Sequence, residues 1–502
     1  MQVNSIGSMH SYSASFKGIE KKDDPRLANI GINGGGGRIG KNALRQYTLG
    51  KHAPQGVYNS WDTFSDIYKN LNIVAINMGS MGLKNGKTIQ DIPLQHLEST
   101  LTADSVMGRL PDSIKYSVTR DDEKTYLNIA SRRGGEEKIE LLATRGDIDF
   151  AGLGADIVME TSGSKKDVDA AAKFNETSGT KYTVVSAPVK GALTVVAGVN
   201  NDRIDEIDSV ENKNVISAAS CTTTCISPII KLMNDIFGVE SGFIETTHAA
   251  TATQFTADKT KAKAESKNRN SFDSMIPTTT GAAKAVGLVL PELNGKLDGQ
   301  ATRVPVANGS MAIMVLNLKT KTDVETVKMV LKDAERNPEY KNLIVQAPLG
   351  SASSDVLNRH ESAMYVPESI KVINGNQLVI KAYYDNEFGY TRSFSTLTSK
   401  LGEKVVAEKL AEKGLPAEVL EEYGDSIDQL DPAFEEYMRG RSGEDLDDET
   451  PVRTIVLPNI LQQASMSTIS ASTEPEYYGD AIDEVNPVFE EYMRSRSGED
   501  LR

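Results

Sequence analysis

Two side chains in this 502-residue sequence have the type and setting for covalent acyl chemistry: Cys221, in VISAASCTTTCISP, and His248, in GFIETTHAATATQ. An apolar run over 214–217 leads into small residues, and a helical pattern begins just after Cys221. A cysteine at a helix N-terminus feels the positive end of the dipole and nearby N–H groups, which lower a thiol pKa from about 8.5. Each unit corresponds to about 1.4 kcal/mol of thiolate stabilisation. The flanking hydroxyls of Ser220, Thr222 and Thr223 could hold an anion beside the sulfur. His248 ends a strand-like run among Thr246, Thr247, Thr251 and Thr253. Imidazole can take a thiol proton and also stabilise an oxyanion near neutral pH. Taken singly, the cysteine is as readily a buried structural residue, and a lone histidine is more often structural. Only the pairing points to a nucleophile and its base.

Other elements must hold this pair. The apolar run 27–33 predicts a buried strand, a glycine cluster follows, and 41–49 has helical character. Gly35, Gly37 and Gly40 fit G-x-G-x-x-G in the strand–turn–helix context that gives the pattern meaning. Such glycines let backbone approach a pyrophosphate, and the helix points unpaired N–H groups at it. The alternative is a glycine-rich loop with no ligand. Further strands are expected at 72–77, 156–160 and 182–186, with a helix at 164–175. That alternation predicts a doubly wound α/β sheet. Beyond Cys225, a helix at 226–237, a polar segment at 254–274, a helix at 281–290, a strand at 310–320 and a helix at 323–335 predict a mixed second domain.

Four motifs in this order, SCTTTC, THAATATQ, TTTGAAKAVGLVLPELNGKLDGQATRVP and YYDNEFGY, resemble those of phosphorylating glyceraldehyde-3-phosphate dehydrogenases. GINGGGGRIG resembles that family's cofactor turn, SAP at 186–188 also matches, and the resemblance spans roughly 27–402. It implies a Rossmann domain over 27–220 completed by 386–402, a mixed α+β catalytic domain over 221–385, and a homotetramer. By this resemblance Cys221 would attack an aldehyde to give a thiohemiacetal, and His248 would take the thiol proton and assist hydride departure. Inorganic phosphate would then cleave the thioester, turning glyceraldehyde 3-phosphate into 1,3-bisphosphoglycerate. Thr251 and Arg303 match positions for the substrate's own phosphate. Ser220, Thr222, Thr280 and Gly281, with Arg269 more loosely, match those for the attacking phosphate. Gly35, Gly37, Arg38, Ile39, Asn77 and Ser186 match the cofactor site for NAD or NADP, Asn386 the residue that orients the nicotinamide amide, and Tyr390 its neighbour. The resemblance also leaves room for erythrose 4-phosphate as substrate.

Departures from the family pattern bear on specificity. The turn has one extra glycine within 34–37, and Asn77-Met78 stands where the family has Asn-Asp. That acid normally binds the ribose hydroxyls and would repel a 2′-phosphate. Its loss favours NADP acceptance, with Ser80 and Lys84 as phosphate partners. Ala218 and Thr224 replace two asparagines, 51–69 has the look of an insertion, and the polar segment keeps little of the family's pattern but Arg269.

Composition sets the frame. Hydrophobic residues at 39% and charged residues at 25% are ordinary for a globular protein, with no apolar run near a membrane span. Two cysteines and five scattered histidines predict neither a disulfide framework nor a metal site. A reduced, cytoplasmic setting is expected, with the plastid stroma as alternative if the Ser-rich start of the extension (1–26) is a targeting segment. The net charge of −15 is lopsided: from Leu401 onward there are 25 acidic and 9 basic residues, against 45 and 46 before it. No dense basic stripe marks a nucleic-acid binder. A tail is expected over 403–502, largely disordered beyond a charged helix at 403–422. It holds a repeat: 423–446 recurs as 478–501, with 18 of 24 positions identical. Phe434, Tyr437 and Met438 fall on one helical face behind Asp431-Pro432, so each copy suits a docking peptide for a protein partner. A solubilising tail, and a catalytically weak scaffold that recruits a partner, are the competing readings.

Overall fold

A computed structural model describes residues 21–53, 62–83, 87–132, 134–251, 254–260 and 265–415. Lys84, Thr253 and both acidic repeats lie outside the described residues. The first half holds strands β1 (Ala28–Asn33), β2 (Leu71–Asn77), β3 (Lys115–Arg120), β4 (Thr125–Ser131), β5 (Gly135–Leu142), β6 (Ile157–Glu160), β7 (Tyr182–Val185), β8 (Leu193–Thr194) and β9 (Val215–Ser217), of which β1, β2, β6, β7 and β9 are the expected apolar runs. They form one nine-stranded sheet in the order β8-β9-β7-β6-β1-β2-β5-β4-β3. β1 lies parallel to both β2 and β6, so the chain reverses its direction of winding there. In open α/β sheets that switch point, beyond the carboxyl ends of the strands, is where ligands bind. Strands β3 and β4 add an antiparallel edge beside β5.

The helices of this half are α1 (Arg38–His52), α2 (Asp62–Tyr68), α3 (Leu94–Thr102) and α4 (Val168–Ser178). Helix α1 starts immediately after the glycine turn and runs longer than the expected 41–49. Helix α4 begins later than expected because Asp167 caps it, accepting from Ala170 N–H at 2.9 Å. The segment that looks inserted folds back on the body: Phe64 meets Phe388 edge-on at 5.6 Å, and Tyr68 Oη donates to Ser395 Oγ at 2.6 Å.

The second half is a mixed sheet of β10 (Val239–Ala249), β11 (Ile276–Thr279), β12 (Leu297–Val304), β13 (Ser310–Leu318), β14 (Ile344–Gln346), β15 (Ala363–Tyr365), β16 (Lys371–Ile373) and β17 (Gln377–Tyr384). Its order is β11-β12-β10-β13-β17-β15-β14, with β16 paired to β17. The associated helices are α5 (Cys221–Phe237), α6 (Ala282–Val289) and α7 (Val324–Arg336). Helix α5 packs on β10, β13 and β17 through buried Ile226, Ile229, Ile230 and Met233.

One expected boundary shifts. A tail beginning at 403 is not what the fold shows, because α8 (Phe388–Glu412) is a single helix that crosses it. Val405, Val406 and Leu410 are buried in the core of the first sheet, together with Ile30 and Tyr182. The charged residues seen in the sequence lie between these apolar ones. Part of the expected N-terminal extension is also built in: Lys21 pairs with Glu137 at 2.8 Å, and Asn29 Nδ2 donates to Lys22 O at 2.6 Å. No helix among the described residues is long and apolar enough to cross a membrane.

Candidate active site

The nucleophile candidate is placed by a tight turn from β9 into α5. Ala219 takes φ 55° there, a conformation unusual for a residue with a Cβ. Ser220 is the N-cap, its Oγ accepting from Thr223 N–H at 3.2 Å, and Cys221 is the first residue of the helix. Its Sγ lies 3.4 Å from His248 Nε2. Thr222 Oγ1 is 2.8 Å from Tyr384 Oη, which ties the head of α5 to the end of β17.

His248 stands on β10, whose register with β12 sets it directly beside Arg303. Nδ1 is 2.8 Å from Ala249 O and 2.6 Å from Arg303 Nη1, and Arg303 also donates to Ala249 O at 2.9 Å. A guanidinium only donates, so Nδ1 cannot satisfy both neighbours in one tautomer. A proton on Nδ1 serves Ala249 and turns the lone pair of Nε2 toward the sulfur. The other tautomer serves Arg303. The ring of Tyr384 packs edge-on against the imidazole at 6.0 Å.

Burial and then the positive charge of Arg303 push the His248 pKa down to about 4. Burial pushes the Cys221 thiol up, against the pull of Arg303 and of Thr222 N–H. The expected depression of this thiol by the helix N-terminus is therefore outweighed. Desolvation penalises a thiolate more than the dipole and one cation help it. Cys221 is only half-buried, whereas Cys225, one turn further on, is enclosed and raised further. Both shifts run toward the uncharged forms, a thiol and an imidazole.

A cavity of about 250 Å³ opens over the pair. Ser220, Thr222, Thr280, Gly281 and Arg303 all line it with Cys221 and His248, so five expected anion-binding residues converge on the sulfur. Two do not reach the cavity lining. Thr251 lies beyond the end of β10, its N–H donating to Gln254 Oε1 at 3.1 Å. Arg269 is on the surface, paired with Asp258 at 3.2 Å. Its side chain is 71% exposed. Thr278, Thr279 and Tyr384 were not singled out by sequence reasoning, although all three lie inside motifs that were.

The glycine turn fits a dinucleotide phosphate. Gly34 has φ +95°, and a Cβ there would come within 2.6 Å of Ser162 N, so only glycine is tolerated. At Gly40 a Cβ would stand 2.6 Å from Gly34 O, which lets helix and turn pack closely. Helix α1 has no side-chain cap on its first N–H groups, whereas Asp167, Ser220 and Asp323 cap α4, α5 and α7. Arg38, beside the half-buried Ile39, pairs with Glu387 at 2.6 Å and Asp104 at 3.5 Å.

The Asn77 side chain is engaged within the protein. Its Oδ1 accepts from Thr144 N–H at 3.0 Å and Gly79 N–H at 3.3 Å, and its Nδ2 donates to Asn33 Oδ1 at 2.8 Å and Thr144 O at 3.1 Å. All four of its hydrogen-bonding positions are occupied within the protein. Met78, which stands at the position of the family's acid, is buried. Ser186 follows β7, its N–H donating to Glu160 O at 3.0 Å. Tyr390 is buried with its hydroxyl 3.4 Å from Ala219 O, under the turn that carries the nucleophile. Asn386 is buried beside the start of β13.

Comparison with known proteins bears on this geometry. Residues 220–386 match the family described as glyceraldehyde 3-phosphate dehydrogenase, C-terminal domain. A glyceraldehyde-3-phosphate dehydrogenase of Mycolicibacterium smegmatis is 34% identical over 380 residues, covering 75% of this chain and 99% of the relative. The chain belongs to the glyceraldehyde-3-phosphate dehydrogenase family. A Chlamydia trachomatis relative of the same name is 39% identical over 259 residues, 51% of this chain and 75% of its own length. Glyceraldehyde-3-phosphate dehydrogenase 2 of Caenorhabditis briggsae is 33% identical over 315 residues, 62% of this chain and 89% of the relative. The glyceraldehyde 3-phosphate dehydrogenase domain match begins at the N-cap of α5 and ends at Asn386, so it encloses the whole cavity lining except Pro188.

Proposed function

We propose that this protein oxidises glyceraldehyde 3-phosphate with inorganic phosphate and a nicotinamide cofactor to 1,3-bisphosphoglycerate, reversibly, through a thioester on Cys221. The observation that carries the reading is the 3.4 Å approach of Cys221 Sγ to His248 Nε2 under a cavity lined by Arg303 and threonine hydroxyls. His248 takes the thiol proton as sulfur attacks the aldehyde carbon and returns it to the developing alkoxide, which gives the thiohemiacetal hydroxyl and frees the imidazole. It then removes the hydroxyl proton of the thiohemiacetal as hydride leaves that carbon. The cofactor supplies the hydride acceptor. Phosphate oxygen displaces the thiolate from the thioester carbonyl, and the product leaves as an acyl phosphate.

Arg303 suits an anion better than it suits its present neighbour. An incoming phosphate that draws the guanidinium into the cavity relieves the contact with Nδ1 and favours the tautomer whose Nε2 accepts. Ser220, Thr222, Thr280 and Gly281 supply donors for the second anion. Asn77 serves as a positioning residue that joins the ends of β1, β2 and β5, while Arg38 and the N–H groups of α1 face the pyrophosphate.

The missing carboxylate at Met78 supports acceptance of NADP as well as NAD. Arg145, exposed one residue beyond Thr144, stands beside the same loop and offers a cation to a 2′-phosphate. Exposed Phe272 and Met275 near the polar segment support assembly with further subunits, as expected for a homotetramer. The duplication of the acidic segment supports a bivalent docking role for the tail.

The deciding experiment is reduction of 1,3-bisphosphoglycerate with NADH and NADPH in parallel. Turnover is expected with both, and Cys221→Ser should lower it by at least about a thousandfold. Turnover that survives this substitution, or that appears only with the four-carbon erythrose analogue, would overturn the reading.

A further inference from the structure

We propose that Ser310 sets the polarity of the Asn386 amide and so decides which end of the nicotinamide carboxamide the protein recognises. Ser310 is the first residue of β13 and is 1% exposed. Its Oγ accepts from Ala249 N–H at 3.0 Å and donates its proton to Asn386 Oδ1 at 2.8 Å. Gly309 N–H, whose shorter bond at 2.9 Å goes to Asn308 Oδ1, lies 3.2 Å from the same oxygen and is only a secondary donor to it, which leaves the Ser310 hydroxyl as the main one. Two donors converging on one atom leave a single assignment of the amide, with oxygen toward β13 and nitrogen away from it. Asn386 Nδ2 has no hydrogen-bond partner among the described residues.

The group left for a ligand is therefore a donor, suited to a carbonyl oxygen. A carboxamide offers both a carbonyl and an NH₂, and a rotated Asn386 would select the NH₂ instead. The same hydroxyl fixes Ala249, the neighbour of His248, so one serine sets the base strand and the cofactor contact in register. This inference rests on the reading of Asn386 as the residue that orients the nicotinamide. It makes Ser310 a positioning residue acting through Asn386.

The test is calorimetric titration of the full chain with the oxidised cofactor and with its 3-acetylpyridine analogue, which keeps the carbonyl and replaces NH₂ by methyl. In the native protein both bind through the carbonyl. In Ser310→Ala the amide is released to rotate, and the rotated form serves only the carboxamide. The dissociation constant of the analogue should then rise about tenfold more than that of the cofactor, the equivalent of one lost hydrogen bond. Ser310→Thr, which keeps the hydroxyl, should restore the native ratio. Equal weakening of both ligands, or an unchanged ratio, would overturn the proposal. If Ser310→Ala fails to fold, Ser310→Cys keeps the volume and is read by the same ratio. Asn386→Ala separates the two levels: if it weakens neither ligand, the assignment of Asn386 itself is wrong, whatever Ser310 does.

Discussion

A base must be neutral to act, and His248 is held neutral by burial and by the charge of Arg303, with its pKa pushed down to about 4. Falling pH protonates the imidazole only as it passes that value. The acid limb of kcat/KM is therefore expected near pH 4 rather than at the usual 6.5. A limb at 6.5 or above in the free enzyme would mean that the imidazole is neither desolvated nor held beside Arg303 in this way. His248→Asn, which keeps a polar group of similar size but cannot take the proton, should cost about a hundredfold or more in kcat. The sequence made the identity of this pair legible through its hydroxyl-rich surroundings. It did not make the charge state legible, because that depends on Arg303, 55 residues away and brought alongside by strand register.

Between residue and fold, the head of α5 carries most of the chemistry, and its cap is a separable contribution. Ser220→Ala leaves Thr223 N–H without its acceptor and should cost about 1 kcal/mol of stability. Melting would fall by a few degrees, and the KM for phosphate would rise because the same hydroxyl lines the cavity. An unchanged melting temperature would show that the cap is dispensable. This helix start was legible, since small residues and hydroxyls precede a clear apolar period. So were β1, β2, β6 and β7, whose short apolar runs are what a strand buried on both faces requires. Strands β3 to β5 were missed. They alternate exposed and buried positions at the sheet's antiparallel side, and charged residues such as Lys115, Glu136 and Lys138 break up their apolar signal. The position of Arg269, paired with Asp258 outside the cavity lining, was not legible either, because a motif match fixes order along the chain but not where a surface side chain lies.

At the scale of the whole molecule, the acidic character begins later than the charge count suggests. Residues 416–502 carry 22 acidic and 6 basic side chains, which leaves the preceding 415 residues near neutrality. Within α8 the charged side chains have structural partners: Lys404 pairs with Asp208 at 2.9 Å, Lys409 with Asp156 at 2.5 Å and Glu408 with Lys181 at 2.8 Å. Exposed pairs of this kind contribute at most about 1 kcal/mol each. The larger contribution is apolar. Val405, Val406 and Leu410 are each at most 4% exposed, and fully burying three such side chains is worth roughly 6 kcal/mol as an upper bound. A chain ending at residue 402 loses all of this, a substantial share of the stability of an ordinary domain. It should melt at least about 10 °C lower than the full chain and lose activity with its fold. A chain ending at residue 415 keeps the helix and should match the full protein in both melting and turnover of the core reaction. If the shorter chain melts with the longer one, the last three turns of α8 do not hold the first sheet together. If the longer one is stable but altered in turnover, the acidic repeats act on catalysis directly, by a route independent of folding.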